Sequence, residues 1–315
     1  MVMFQFCDFS GQVCTLPANG LGLLIETRRG DVMDQIDEFE SMFRKAERES
    51  FSHVEMPIES VALVTDGGMA AAEALRDSLK EFLPMLADAD NWRLITGEDY
   101  SNVAQLQGKL EAEQTDLIIT QRHLQEDSLV PQHSLGVYLD VLTQVTSIPV
   151  LVLPGTAAHP IDLSEKAVQK TMVVADHISG DSRLINYGAR FTPNGGTLWL
   201  CHVEDDAVLA RITNSFERIP EIDSEIGRTL LEKQLLKEAS DYIHTCVEEL
   251  KTDRPRIACE SRVVTGHFLK QYKKLIEEAG IELLVANTKD EDQLAMHGMA
   301  YSLSVELIET PMLLL

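Results

Sequence analysis

The chain has 315 residues, of which 44% are hydrophobic, and a formal net charge of -24. This length and apolar content are enough for two ordinary domains with full cores, so a globally disordered chain is excluded. The negative charge repels phosphate backbones and anionic lipids, and we expect neither nucleic acid nor a membrane as a partner. The sequence has no apolar run of transmembrane length and no basic leader, which predicts a cytoplasmic protein. Its cysteines and histidines show no metal-ligand spacing, so no metal site is predicted.

The first 58 residues contain one predicted strand, GLGLLIET at 20–27, and one predicted amphipathic helix at 31–48. The apolar face of this helix consists of Val32, Ile36, Phe39 and Phe43. The strand and helix either complete the sheet that follows, or form an extension that packs elsewhere. The sequence leaves both alternatives open.

Strands and helices alternate in the next part of the chain. The predicted elements are the strand VALV before Asp66, a helix at 69–87, the strand RLITG, a helix, the strand DLIIT, a helix after Gly136 and the strand PVLVL at 149–153. The apolar strands are short and continuous, as expected for strands that are buried on both faces of a parallel sheet.

The same alternation continues to the end of the chain. Strands are predicted at 171–175, 197–203, 256–264, 281–286 and 311–315, and helices at 182–192, 223–251, 267–279 and 299–309. Strands that alternate with helices require a parallel sheet covered on both faces. The predicted fold class is therefore α/β, with doubly wound parallel sheets of the Rossmann-like or flavodoxin-like type.

Four blocks of sequence recur in the same order in the two halves of the chain. The clearest pair is 116–155 and 282–315, in which an acidic residue, an apolar strand, a polar loop, a helix, a proline and a second apolar strand follow one another. This repetition predicts a tandem duplication with domains at 1–155 and 171–315 and a linker at 156–170. The first domain lacks one strand–helix pair between its first strand and its Thr-Gly strand.

These blocks resemble a tandem universal stress protein. The resemblance covers nearly all of 170–315, through the strand ending at Asp176, LWLCHV, the Thr265-Gly266 turn, ELLVAN and GMAYSLSVELIETPMLLL. It also covers roughly 59–153, through VALVTDGG, TDLIIT and GVYLDVLTQVTSIPVLVLP. It implies two Rossmann-like domains of the adenine nucleotide alpha hydrolase-like type.

The resemblance also implies where a nucleotide would bind. Nucleotide-binding members carry the pattern Gly-x2-Gly-x9-Gly-[Ser/Thr] between the fourth strand and the last helix, because glycines and helix N–H groups cradle phosphates. Here only the last glycine is present in each half, and Val137 and Met299 replace the hydroxyl residue. The residues that would form a vestigial nucleotide site are Asp66, Gly67, Gly136, Asp176, Gly266 and Gly298.

Acidic residues stand where the phosphate loops would be. The second loop carries the run DED at 290–292 beside Lys289, and the first carries Glu126 and Asp127 near Arg122. Each carboxylate about 5 Å from a phosphate would cost roughly 1–3 kcal/mol. The sequence therefore predicts a non-enzymatic stress-response or regulatory module, without catalytic residues or a cofactor, that has lost ATP binding.

Two alternatives remain open. One is a regulatory switch that holds AMP or ATP at a non-standard site near Asp66 or Asp176, and the other is a nucleotide hydrolase. A further acidic run, EDD at 204–206, is interpreted as a solvated loop, and SGDS at 179–182 as a helix cap.

The chain's last apolar strand predicts self-association. The resemblance implies that the fifth strands pair across a two-fold axis, so 149–153 would pair with 311–315 either within the chain or between two copies. A protein partner is compatible with the same fold.

Overall fold

The computed structural model describes residues 6–7, 13–14, 51–126, 134–155, 163, 166–175, 178–216, 224–288 and 298–315. The chain divides into two compact units, Met1–Arg48 and Glu49–Leu315. In the first unit, β1 (Phe6–Cys7) pairs antiparallel with β2 (Val13–Cys14). The strand and helix predicted at 20–27 and 31–48 lie outside the described residues.

The second unit contains the alternating elements. Its strands are β3 (Ser60–Val64), β4 (Asn91–Ile95), β5 (Leu117–Gln121), β6 (Val150–Leu153), β7 (Lys170–Ala175), β8 (Thr197–Asp205), β9 (Ala258–Gly266), β10 (Leu283–Ala286) and β11 (Met312–Leu314). Its helices are α1 (Met69–Phe82), α2 (Val103–Glu111), α3 (Val137–Val145), α4 (Ser182–Arg190), α5 (Asp206–Phe216), α6 (Ser224–Asp253), α7 (Phe268–Ala279) and α8 (Gly298–Glu306). A short 3₁₀ helix, Pro84–Leu86, follows α1.

The described strands of this unit form one nine-stranded sheet in the order β4-β3-β5-β6-β11-β10-β7-β8-β9. Neighbouring strands are parallel except β6 and β11, which are antiparallel with Leu151 opposite Leu313. The α/β class with parallel strands is confirmed. The sequence suggested two sheets, and in the structure they are continuous through the β6–β11 pair within one chain.

We refer to β3–β6 as the N-terminal half-sheet and to β7–β11 as the C-terminal half-sheet. The first has the order β4-β3-β5-β6, and the second, read from the opposite edge, has the order β9-β8-β7-β10-β11. The N-terminal half-sheet is one strand shorter among the described residues, as the sequence indicated. Its β4 ends at Ile95, just before Thr96-Gly97, whereas β9 includes its Thr-Gly pair. β4 lies directly beside the first strand of its half, in the position that β8 occupies in the other half.

The core lies in two layers, one on each face of the sheet. Side chains of one layer include Phe51, Leu79, Leu184 and Leu250, and those of the other include Leu106, Leu139, Tyr272 and Leu303. Each layer contains residues from both halves of the chain, so the two half-sheets share both layers of the core. No helix among the described residues is long and apolar enough to cross a bilayer.

A carboxylate holds the amino end of the first strand in the N-terminal half-sheet. One oxygen of Asp116, just before β5, accepts hydrogen bonds from the backbone N–H groups of Glu59 (3.0 Å) and Ser60 (2.9 Å). These donors lie where the chain enters β3. The contact therefore fixes the start of β3 against the start of β5.

The C-terminal half-sheet uses the same contact. One oxygen of Glu282, just before β10, accepts hydrogen bonds from the N–H groups of Gln169 (2.6 Å) and Lys170 (3.0 Å) at the start of β7. Burial raises the pKa of Glu282, but the hydrogen bonds from Lys166 and the two backbone groups outweigh it and leave the pKa below its ordinary value.

A half-buried arginine joins the halves on one face of the sheet. Arg190, in the last turn of α4, donates hydrogen bonds to the carbonyls of Met56 (3.1 Å) and Met85 (2.9 Å) in the N-terminal half. Nearby, the side-chain oxygen of Asn186 accepts a hydrogen bond from the N–H of Val54 (3.1 Å). The segment before β3 is thus held against α4.

Two sequence expectations are corrected. The predicted helix at 69–87 ends at Phe82 and continues only as the 3₁₀ turn. The interpretation of 204–206 as a solvated loop is wrong, because β8 runs through Asp205 and α5 begins at Asp206. The Asp205 carboxylate accepts a hydrogen bond from the N–H of Ala207 (2.7 Å) and so stabilises the first turn of α5.

Candidate functional site

The carboxyl edge of the N-terminal half-sheet brings Asp66 together with the loop that follows β5. One Asp66 oxygen accepts a hydrogen bond from the backbone N–H of Gln125 (2.7 Å), and the other accepts one from the hydroxyl of Tyr100 (3.2 Å). Burial raises the pKa of Asp66 above its ordinary value, and these two hydrogen bonds offset part of that rise. Both oxygens of the carboxylate expected near a nucleotide are therefore engaged by the chain itself.

The side chain of Gln125, an exposed residue, connects the segments beside Asp66. Its amide nitrogen donates to the carbonyls of Gly97 (3.0 Å) and Tyr100 (2.7 Å), and its amide oxygen accepts from the hydroxyl of Tyr138 (3.2 Å). The rings of Tyr100 and Tyr138 meet edge to face with centroids 5.6 Å apart. Positive φ angles at His123 (56°) and Gln125 (52°) turn this loop back over the sheet edge.

Glu126 places a carboxylate at the start of α3. One of its oxygens accepts a hydrogen bond from the N–H of Val137, and the other pairs with Nδ1 of His123 at 3.0 Å. The N-terminus of a helix attracts anions because its first N–H groups have no partner within the helix. Glu126 thus occupies the place that the resemblance gave to a phosphate.

Two glycines of the predicted site lie in this half, Gly136 in the expected phosphate loop and Gly67 after β3. Gly136 has φ +91°, and a Cβ there would lie 2.8 Å from Cα of His123 and 3.0 Å from a carboxylate oxygen of Glu126. Gly67 lies in a turn, where its N–H donates to the hydroxyl of Thr65 (3.2 Å). Gly136 is therefore explained by the close approach of the chain's own loop.

Sequence reasoning treated Glu126 as a charge that would repel a phosphate, not as the group bound in its place. It also missed Gln125, Tyr100 and Tyr138, whose hydrogen bonds close the edge. The signal that was available is the carboxylate at 126 in a loop that precedes a helix start. Such a residue can cap the helix from outside it.

Arg122 connects this loop to the other half of the molecule. It is 3% exposed, and it donates hydrogen bonds to the carbonyls of Ser304 and Leu307 (3.2 Å) at the end of α8. Burial lowers its pKa to about 10. Because the C-terminal end of a helix attracts cations, Arg122 stabilises α8 instead of offsetting the acidic loop as the sequence suggested.

The matching edge of the C-terminal half-sheet is described only in part. Asp176 and the loop at 289–297, with its acidic run, lie outside the described residues. Gly298 begins α8, and Gly266 ends β9 with φ +149°. The structure therefore places two of the three predicted site residues of this half, one at a helix start and one at a strand end.

Described side chains at this edge are bound within the chain. The hydroxyl of Tyr272 lies 3.3 Å from the carbonyl of Ala175, at the end of β7, and 3.1 Å from that of Cys201, in the middle of β8. The hydroxyl of Thr288 donates to the carbonyl of Leu315 (2.6 Å). Tyr272 therefore connects the end of β7 to the middle of β8.

The predicted cap at 179–182 is present. Asp181 accepts a hydrogen bond from the N–H of Leu184 (2.9 Å) in the first turn of α4, and its other oxygen accepts one from the side-chain amide of Asn287.

His202 and Glu204 form a buried pair on β8, with Nε2 and a carboxylate oxygen 3.3 Å apart. Within the described ranges, no group of three His, Cys, Asp or Glu side chains could hold a metal.

No protein-family model matches the chain, and no curated protein matches it. Among solved structures it is similar to a protein of Pseudomonas aeruginosa UCBPP-PA14 described as a universal stress protein, with 12% identity, a TM-score of 0.44 and coverage of 82% of this chain and 94% of that one. It is also similar to PA1789 of Pseudomonas aeruginosa PAO1, described as functionally unknown, with 13% identity, a TM-score of 0.44 and coverage of 82% and 93%. The hypothetical protein MJ0577 gives 15% identity, a TM-score of 0.36 and coverage of 47% and 96%. At these identities the likeness concerns the fold alone.

Proposed function

We propose that the chain is a tandem universal stress protein with domains at 1–155 and 171–315 and a linker at 156–170. The strand order of the two half-sheets supports this proposal. In each half the first strand is followed, towards the centre of the sheet, by the next-to-last and last strands of that half, as β3-β5-β6 and as β7-β10-β11. The contacts of Asp116 and Glu282 support it further, since each holds the start of the first strand in its half.

We also propose that the protein has given up family-type ATP binding and acts without catalysis, as a regulatory module that works through a protein partner in a stress response. One observation carries this proposal. The Glu126 carboxylate accepts a hydrogen bond from the N–H of Val137 at the start of α3, and the Asp66 carboxylate accepts one from the N–H of Gln125. The two places where a nucleotide would be held are filled from one loop.

Binding of a nucleotide would require free energy to open that loop. It would displace Glu126 from the helix start, break the Gln125 contact with Asp66, and leave the freed carboxylate close to its phosphates. A carboxylate about 5 Å from a phosphate costs roughly 1–3 kcal/mol. The formal net charge of -24 adds a field that opposes the approach of any polyanion.

Thermal-shift titrations with ATP, ADP and AMP, each with and without Mg²⁺, test the proposal. We expect no saturable stabilisation at up to about 1 mM nucleotide, because a ligand stabilises the fold only above its Kd. Mass spectrometry of the purified protein is expected to find no co-purifying nucleotide. The matched variants are Glu126→Ala, which empties the helix start, and Glu113→Ala, which removes an exposed carboxylate in the same half.

The other two candidate functions give different results. Micromolar binding that Asp66→Ala or Asp176→Ala abolishes would establish the AMP or ATP switch and reject the loss of binding. Turnover of a nucleotide that disappears with the same substitutions would establish a hydrolase. Improved nucleotide binding in Glu126→Ala, but not in Glu113→Ala, would show that the carboxylate at the helix start is what excludes the ligand.

A further inference from the structure

The outer side of β9 is an edge of the large sheet. β9 spans nine residues and is the last strand in the sheet order, and no strand in the described part of the chain pairs with its outer side. Glu260, Ser261 and Arg262 are all exposed. Because successive side chains point to opposite faces, the middle of β9 is uncovered on both faces. An open edge of this length is a template for another strand.

The hydrogen bonds of β9 show which backbone groups face outward. The N–H of Ala258 donates to the carbonyl of Gly196, on the side of β8, at 2.9 Å. Backbone groups alternate in direction along a strand, so Cys259, Ser261 and Val263 direct their N–H and C=O groups away from β8. The outward carbonyl of Ser261 accepts a hydrogen bond from the guanidinium of Arg262 at 3.0 Å. The Arg262 side chain thus donates a hydrogen bond to a carbonyl that would otherwise accept one from a strand paired with the outer side of β9.

The charges on β9 favour a second copy of the same strand in one register. In an antiparallel pair centred on Ser261, Glu260 of each copy stands opposite Arg262 of the other. Moving the two-fold axis by one residue, which slides one strand by two residues along the other, sets Glu260 against Glu260 or Arg262 against Arg262. Opposite charges across a strand pair attract and like charges repel. In the Ser261 register the charged positions are also non-hydrogen-bonded pairs, which bring side chains closest together.

The pairing would draw Arg262 away from contacts that it makes within its own chain. Its guanidinium lies over the ring of Trp199, 5.6 Å from the ring centroid. The other end of the sheet is less suited to pairing, since β4 has five residues where β9 has nine. Arg93 on β4 already lies 3.5 Å from a carboxylate oxygen of Glu113, whereas the contacts of Arg262 are with a carbonyl and a ring.

We propose that β9 pairs antiparallel with β9 of a second copy of this chain about a two-fold axis at Ser261, with Glu260 of each copy bound to Arg262 of the other. The pairing joins two sheets edge to edge and uses none of the strands at the centre of the sheet. A single strand pair lies at the low end of interface size, so we expect a Kd of about 10–100 µM.

Sedimentation equilibrium of the full chain over a range of concentrations tests the proposal. Glu260→Arg alone and Arg262→Glu alone are each expected to weaken dimerisation at least about tenfold, because each creates two like-charge pairs. The double variant with both substitutions restores opposite charges in this register, and its Kd is expected to return to within about threefold of the unsubstituted chain. Glu278→Arg reverses an exposed charge on α7 and is expected to leave the Kd unchanged.

Amide hydrogen exchange locates the pairing. The N–H groups of Ser261 and Val263 are expected to gain protection as the concentration rises, whereas that of Ala258 is protected throughout. A chain that stays monomeric at about 500 µM, well above the expected Kd, overturns the proposal. Assembly beyond a dimer, or a double variant no better than the single ones, overturns it as well.

Discussion

The two half-sheets make the same contact at the amino edge, and the residues described at the carboxyl edge make different contacts. At the amino edge, Asp116 and Glu282 each accept two backbone N–H groups at the start of the first strand of their half. At the carboxyl edge, the loop after β5 folds back over Asp66, while the described end of β10 leads to Thr288, which donates to the carbonyl of Leu315.

The comparison distinguishes the amino-edge contacts, which stabilise the fold, from the carboxyl-edge residues, which can change without loss of the sheet. The amino-edge carboxylates bind backbone that both halves must place beside a neighbouring strand, so the same solution serves twice. Ligands of open parallel sheets bind at the carboxyl ends of the strands. A change there alters what the protein binds and leaves the sheet intact.

The largest expected effect concerns the closed loop. Gly136→Ala adds a Cβ that would lie 2.8 Å from backbone of His123 at a φ of +91°. We expect a loss of about 3 kcal/mol in the free energy of unfolding, measured by urea denaturation. Gly108→Ala is the control, because a Cβ at this position in α2 meets nothing within 4 Å. It is expected to stabilise the fold by about 0.5–1 kcal/mol, and equal losses in the two variants would show that the loop does not approach Gly136.

The next effect tests the agreement at the amino edge. Asp116→Ala and Glu282→Ala each remove a carboxylate that accepts two backbone hydrogen bonds. Each is expected to cost about 2 kcal/mol of unfolding free energy, and the double variant about the sum, because the two sites share no partner. Glu59→Ala, an exposed carboxylate beside β3, should change little. A cost confined to one of the two halves would contradict their equivalence.

A smaller effect is expected inside the closed edge. Tyr100→Phe removes the hydroxyl that donates to Asp66 but keeps the ring against Tyr138. We expect a loss of about 1 kcal/mol in chemical denaturation. The pKa of Asp66, followed by the NMR shift of its carboxyl carbon, should rise further because one hydrogen bond to the charged form is lost. An unchanged pKa would mean that the hydroxyl does not contact the carboxylate.

The smallest effect is the acid dependence of Glu282. Its pKa in the folded chain lies below the ordinary value of 4.5, so its contribution to stability is present above that value and is lost as the pH falls through the folded pKa. The Glu282→Gln variant should therefore lose less stability than the unsubstituted chain between about pH 5 and pH 3, measured by denaturation at each pH. Parallel curves for the two proteins would contradict the assigned hydrogen bonds.

Local patterns were enough for most of the fold. Continuous apolar strands such as VLVL at 150–153, separated by amphipathic helices, led to a parallel sheet covered on both faces. Helix α5 was missed, because the acidic run before it suggested a loop and its apolar face is short: Leu209 is buried, and Val208 and Ile212 are exposed.

The closed edge could not be read from local patterns. Its central hydrogen bond joins Asp66 to Gln125 across 59 residues. The positive φ angles at His123 and Gln125 fall on residues that rarely adopt them, so no glycine marks the turn. The sequence indicated that the phosphate loop had lost its first two glycines, but only the structure places Glu126 at the start of α3.

Calorimetric titration of the unsubstituted chain with Mg²⁺-ATP tests the closed site most directly. With Gln125 and Glu126 in place, we expect no saturable heat at up to about 1 mM ATP. Saturable micromolar binding that Asp66→Ala abolishes would contradict the account, because it would show that the loop over Asp66 opens for the ligand at little cost.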